Sequence, residues 1–216
     1  SVGKDVIPPS YACRNLGVMF DDEMSMESHV TSICRSTLFQ LRNIRRIRPM
    51  LNDSATAQLI HALITSKIDY CNALLYGIHD NKMKRLQRIQ NIAARIVAKC
   101  PKSCHITPVL KDLHWLPIKE RIHFKLLLLM YRAINNSAPV YLSELIEEIN
   151  YERQTRSMTN GDVRVPRTTL SFGDRAFSVC GPKEWNKLSL DIRQSPSLAS
   201  FKCKLKTSLF KQVFKE

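Results

Sequence analysis

Residues 80–99 read Asp80-Asn81-Lys82-Met83-Lys84-Arg85-Leu86-Gln87-Arg88-Ile89-Gln90-Asn91-Ile92-Ala93-Ala94-Arg95-Ile96-Val97-Ala98-Lys99. Stepped at about 100° per residue, Leu86, Ile89, Ala93, Ile96 and Cys100 share one arc, and Arg85, Arg88, Arg95 and Lys99 fall in an adjoining arc of roughly 80°. A helix is therefore expected from Asp80 or Asn81 to Lys99 or Cys100, with Pro101 behind it and one face packed while its neighbour is cationic. No Asp or Glu occurs from Asn81 to Lys111, so these cations have no partner nearby in sequence and repel one another unless an anion lies among them. Gln87, Gln90 and Asn91 add donors that reach phosphate or sugar without reading bases. A solvated helix face has a similar look, and the missing acids are what weigh against it.

The same periodicity extends in both directions. Val30, Ile33, Cys34, Leu38, Leu41 and Ile44 mark a helix from about Met26 to Arg48, stopped by Pro49, with Arg45, Arg46 and Arg48 in the last turn where cations suit the helix dipole. A second helix should open at an Asn52 or Asp53 cap, carry Leu59, Leu63, Ile64 and Ile68 towards Leu75, and close at Gly77. Downstream, Pro117 fits the first position of a largely apolar, central helix through Asn135, and a shorter helix follows Pro139. At the end, Ser195 as cap and Pro196 as first residue introduce Leu198, Phe201, Leu205, Leu209 and Val213 on one face. Two stretches depart from helix. Tyr11 to Phe20, after Pro8 and Pro9, reads as strand ended by Asp21-Asp22, while residues 151–172 are polar and mixed, with Val163 to Leu170 an edge strand or extended arm. Six glycines in 216 residues agree with a mainly α chain.

Thirty-three Lys/Arg against nineteen Asp/Glu give a formal net charge of +14, a balance that points to polyanionic partners. The charge is unevenly placed: residues 1–80 hold eight of each sign, residues 81–135 hold twelve basic against two acidic, and residues 136–216 hold thirteen against nine. The middle segment is the electrostatic centre. No run of eighteen apolar residues exists, so no membrane span is expected. Seven cysteines without a pairing rhythm read as reduced thiols, and the start at Ser1 without a signal-like stretch reads as trimmed rather than secreted.

Several short patterns occur in a fixed order: Asn15-Leu16-Gly17-Val18-Met19-Phe20-Asp21 followed by Met26 and His29-Val30; Ile68-Asp69-Tyr70-Cys71-Asn72; Leu86-Gln87-Arg88-Ile89-Gln90-Asn91 with Ala93-Ala94-Arg95; and His114-Trp115-Leu116-Pro117-Ile118 with Arg121-Ile122. Further on come Arg156, Arg164-Val165-Pro166, Gly173-Asp174-Arg175-Ala176-Phe177-Ser178, Gly181-Pro182-Lys183-Glu184-Trp185-Asn186, and Phe201-Lys202 with Leu205-Lys206. Together they resemble the C-terminal part of reverse transcriptases of LINE-type (non-LTR) retrotransposons, of the jockey and chicken-repeat clades, over almost the whole chain. Asn15 departs from the family's aromatic.

The resemblance implies the end of a polymerase palm over residues 1–22, a helical thumb over 23–100 and a helical C-terminal extension over 101–216. It implies a primer grip at Leu16, Gly17 and Val18, while the charge along residues 80–99 makes Lys84, Arg85, Arg88, Arg95 and Lys99 the expected phosphate contacts. An RNA template, a DNA primer and the rest of the reverse transcriptase polyprotein are the implied partners, in the nucleus or a cytoplasmic ribonucleoprotein. A glycine in a strand marks a bulge or a close backbone approach, and a primer grip favours the approach at Gly17. Such a polymerase uses paired carboxylates on Mg²⁺. Asp21-Asp22 follows the Leu-Gly-Val signature instead of preceding it and is read as charge at a helix start, so no catalytic or metal-binding residue is expected here and Mg²⁺ belongs to the full-length parent. Cys100, Cys104, His105 and His114 are poorly spaced for a tetrahedral zinc site, Cys71 and Cys180 form no recognisable nucleophile–base set, and Trp115 and Trp185 read as core. The alternative from another class is a relic or co-opted helical protein-interaction module whose cations only solubilise it.

Overall fold

The computed structural model describes residues 10–147 and 161–215, so Pro8, Pro9 and Arg156 lie outside the described residues. The described chain is mainly helical with one two-stranded antiparallel sheet. It divides into two compact units, one within Ser1–Cys71 and Ile78–Leu113, the other within Asn72–Gly77 and His114–Glu216. This partition differs from the one implied by the resemblance: the segment 101–113 packs with the helix that precedes it, and 72–77 with the second unit.

The first unit opens on a hairpin. Strands β1 (Ala12–Asn15) and β2 (Val18–Asp21) pair in register from Ala12↔Asp21 to Asn15↔Val18. The single strand expected over Tyr11–Phe20 is thus two strands, reversed at Leu16 (φ 45°) and Gly17 (φ 87°). Positive φ at both central residues gives the primed two-residue turn whose twist matches paired strands. Gly17 is therefore a turn residue and not a strand glycine. A leucine rarely adopts that conformation, which is why the pattern conceals the reversal.

Helix α1 (Glu27–Ile47) buries Val30, Ile33, Cys34, Leu41 and Ile44. Its start is organised by Asp21, whose carboxylate accepts from the backbone N–H of Ser25, from the Ser25 hydroxyl at 3.2 Å and from the N–H of Glu27 at 3.1 Å. Pro49 lies in the single 3₁₀ turn that follows. Asn52 then caps α2 (Asp53–Ile60), accepting from the Ala55 N–H at 2.7 Å. Through a π-helical turn at His61–Thr65 the chain continues into α3 (Ser66–Asp69). The helix expected to reach Leu75 stops at Asp69, because Tyr70 is extended and Cys71 has φ 52°; Asn72–Leu75 is a 3₁₀ turn. Helix α4 (Asp80–Val97) packs on α1 and α2, and α5 (Ile106–Asp112) packs on α4.

In the second unit α6 (Ile118–Ile134) is central, with Ile122, Leu126 and Met130 buried, and Pro117 stands at its cap, one residue before the expected position. Around it come α7 (Val140–Ser143), α8 (Phe177–Trp185), α9 (Leu190–Arg193) and α10 (Leu198–Phe214). The cap of α10 is Ser197, accepting from the Ser200 N–H at 3.2 Å. Ser195 is buried instead, and its carbonyl accepts from the Tyr131 hydroxyl at 2.8 Å. The Tyr131 and Phe201 rings stack at 4.4 Å with Trp185 beside them. Residues 163–172 form no strand among the described residues. Val163 is an extended plug, buried and gripped by the Asn186 amide, which accepts from its N–H at 3.0 Å and donates to its carbonyl at 2.8 Å. No described helix is long and apolar enough to cross a membrane.

Candidate nucleic-acid interface

The packing of α1 on α4 creates the site. Leu41 and Ile44 of α1 and Leu86, Ile89 and Ile96 of α4 are buried, so the residues flanking these seams are brought to the edges of one cleft. The carboxyl end of α4 is fixed by Arg48, a residue outside it in sequence by almost fifty positions. The Arg48 guanidinium donates to the Ile96 carbonyl at 2.9 Å, the Val97 carbonyl at 3.0 Å and the Leu51 carbonyl at 2.7 Å, and pairs with Asp53 at 2.5 Å. Two orphan carbonyls at a helix end thereby gain a charged donor. Behind them Lys99 takes the left-handed conformation (φ 53°) and the Cys100 N–H reaches back to the Arg95 carbonyl at 3.2 Å, closing α4.

Between α1 and α4 lies a groove of about 690 Å³. Six cations line it: Arg42 and Arg45 from α1, Lys84, Arg88 and Arg95 from α4, and Lys102 from the turn after α4. No carboxylate lines it, and among the described residues none is paired with Arg42, Arg45, Lys84, Arg88 or Lys102. Arg95 donates to the Cys104 carbonyl at 3.1 Å, which orients it, while its Nε–H is buried with no partner among the described residues. Leu38, Leu41, Ile92 and Ile96 supply an apolar floor. Gln87 donates from one amide nitrogen to Gln90 Oε1 at 2.9 Å and Asn91 Oδ1 at 2.8 Å, tying the polar part of the wall together. Like charges gathered in a partly enclosed, low-dielectric cleft focus the field there and raise the local concentration of anions.

Of the five cations expected to contact phosphate, Lys84, Arg88 and Arg95 are brought together in this groove, and two are not. Arg85 pairs with Glu27 and donates to the Thr31 hydroxyl at 2.8 Å; the guanidinium in turn holds the Glu27 carboxyl below its usual range. Lys99 pairs with Asp53 at 3.2 Å, and hydrogen bonds from Arg48 and then Lys99 hold Asp53 low as well. Both acids come from elements remote in sequence, so the absence of acids within 81–111 gives no warning of them. The same remoteness hid Arg42 and Arg45, while Lys102, close to α4 in sequence, lies beyond the helical wheel. Arg45 was visible as a last-turn cation, yet nothing local joins it to α4.

Leu16, Gly17 and Val18 lie at the hairpin reversal. Leu16 is 84% exposed, Val18 is buried, and the Tyr70 hydroxyl donates to the Leu16 carbonyl at 2.6 Å. Asp21 is engaged at the start of α1, and Asp22 accepts from the Glu23 N–H at 3.1 Å. Among the described residues no three His, Cys, Asp or Glu side chains are gathered as a metal cluster, Cys100, Cys104, His105 and His114 included. Burial pushes the Cys180 thiol up to about 11, so it is an inert thiol at neutral pH. Trp115 and Trp185 are buried.

Fold and site together define a helical chain with a cationic, acid-free groove on its first unit. No protein-family model, no curated protein and no solved structure matches it.

Proposed function

We propose that this chain is the template–primer-binding portion of an RNA-directed DNA polymerase from a LINE-type retrotransposon, without the polymerase's catalytic carboxylates. The ordered resemblance along the chain supports the family. The observation that carries the binding role is the groove in which six cations from two helices and a turn meet no carboxylate. Such a surface neutralises phosphodiester charge and is indifferent to base sequence. In this reading residues 1–22 end the palm, with Leu16, Gly17 and Val18 at the primer grip, 23–100 are the thumb and 101–216 the C-terminal extension. RNA template, DNA primer and the rest of the polyprotein are its partners, in the nucleus or a cytoplasmic ribonucleoprotein, and Mg²⁺ is held by the parent enzyme.

The test is fluorescence polarisation with a primed RNA–DNA duplex across a salt series. Binding is expected to weaken with salt by a slope of about 0.9 per phosphate neutralised on duplex DNA, with a somewhat different coefficient for the hybrid. The double variant Arg42→Glu/Arg88→Glu, both residues exposed, should abolish binding with helicity unchanged by circular dichroism. Undiminished binding by that variant defeats the reading and leaves the protein-interaction alternative.

A further inference from the structure

We infer that the groove between α1 and α4 holds an unpaired nucleotide, its base on the apolar floor and its flanking phosphates on the cationic rim. The inference rests on the nucleic-acid reading of this groove and narrows its occupant from duplex backbone to single strand. Three observations converge on it.

The first is shape. A concavity of about 690 Å³ falls within the range of small-ligand sites, roughly 300–1,000 Å³. A duplex keeps its bases stacked inside and offers a cleft only its outer phosphates and sugars, whereas an unpaired base can be splayed out into one.

The second is the floor. Leu38, Leu41, Ile92 and Ile96 offer nothing to a hydrated phosphate, and covering them with one gains no apolar burial. The flat face of a base is the part of a nucleic acid that profits from such a surface, and apolar side chains are among those that sandwich an extruded base.

The third is hydrogen-bonding polarity. The charged rim side chains are arginines and lysines, which only donate, while the amides of Gln87 and Asn91 both donate and accept. The buried Arg95 Nε–H is a further unclaimed donor. A wall rich in donors suits the ring nitrogens and carbonyl oxygens that every unpaired base presents, and it selects none of the four.

The experiment uses the intact chain and four probes of equal phosphate number: oligo(U), oligo(A), an abasic single strand and a blunt RNA–DNA duplex. Oligo(U) is expected to bind more tightly than the abasic strand by less than the roughly tenfold of a base stacked on an aromatic ring, because the floor is aliphatic. Oligo(U) and oligo(A) should both exceed the blunt duplex. Equal affinity for oligo(U) and the abasic strand, or a blunt duplex that binds best, overturns the inference while the backbone-binding reading stands. Failure of every probe to bind overturns both. The whole probe series is read on the unaltered protein.

Discussion

The hydroxyl of Tyr70 donates a 2.6 Å hydrogen bond to the carbonyl of Leu16, joining the end of α3 to the reversal of the hairpin fifty-four residues earlier. The same ring lies 3.4 Å from where a β-carbon on Gly17 would stand, an ordinary contact, so the demand for glycine there comes from its φ of 87° and not from lack of space. Gly17→Ala should therefore cost about 1–2 kcal/mol through backbone strain. Tyr70→Phe should cost less, about 1 kcal/mol, for one net hydrogen bond. Urea unfolding of both variants measures the order, and a costlier Tyr70→Phe would show the turn to be held mainly by the tyrosine.

Arg85 and Lys99 are expected to matter little for nucleic-acid binding, because each already has a carboxylate, Glu27 and Asp53 respectively. Alanine at either position should leave the salt slope of binding nearly unchanged, whereas Arg88→Ala should lower it by about 0.9 for duplex DNA. Glu27→Gln frees Arg85 and should not weaken binding. A loss of affinity in Arg85→Ala as large as in Arg88→Ala would place the phosphate path across α4 differently.

Arg48→Met should destabilise the first unit by about 2–4 kcal/mol, since the Ile96, Val97 and Leu51 carbonyls all lose their charged donor in a buried setting. Asp53→Asn should cost much less, because that partner is 71% exposed and solvent screens the pair. Chemical denaturation of the two variants should separate them clearly. Comparable costs would mean that the ion pair, and not the carbonyl bonds, secures the end of α4.

His29 is buried and accepts the Met19 N–H at Nδ1 at 3.4 Å, a role only the neutral ring can fill. Burial lowers its pKa below 6.5, so as pH falls through 6.5 the unfolded chain takes up the proton first. Stability from this histidine is complete above that pH and is lost on descending towards the folded value. His123, lowered mainly by burial, contributes with the same sign in the second unit. Glu27 acts in the same direction only below 4.5, outside this window. Urea midpoints at about pH 7.5 and about pH 5.5 should differ, and His29→Gln should narrow the gap. An unchanged gap in His29→Gln and in His123→Gln would mean that neither ring titrates with folding.

Gly181→Ala sets two effects against each other within α8. Helix propensity favours alanine by about 1 kcal/mol. The added β-carbon, however, would overlap the Met130 sulfur and stand 3.1 Å from Met130 Cγ, on a side chain with no exposed surface into which to retreat. Overpacking of this kind costs about 1–3 kcal/mol, so a net loss is expected. A gain in melting temperature would show that Met130 can repack.

Along the chain, the helices with a long apolar stripe were legible from residues alone: α1, α4, α6 and α10 lie close to their expected spans because a repeat near 3.6 is a property of one segment. The misplaced features share another character. The hairpin reversal at Leu16-Gly17, the early stop of α3 at Cys71 and the cap at Ser197 each depend on one or two backbone angles or a single hydrogen bond, which residue type specifies weakly.

By itself the sequence determined that α4 would bury one face and present Arg85, Arg88, Arg95 and Lys99 in an arc beside it, since those angles follow from helix geometry. Only the tertiary structure decided which cations form a site, placing Arg42, Arg45 and Lys102 around the same groove and handing Arg85 and Lys99 to Glu27 and Asp53. The physical reason is distance: Coulomb attraction acts through space over a few ångströms, and residues dozens of positions apart acquire that separation only when α1 docks on α4.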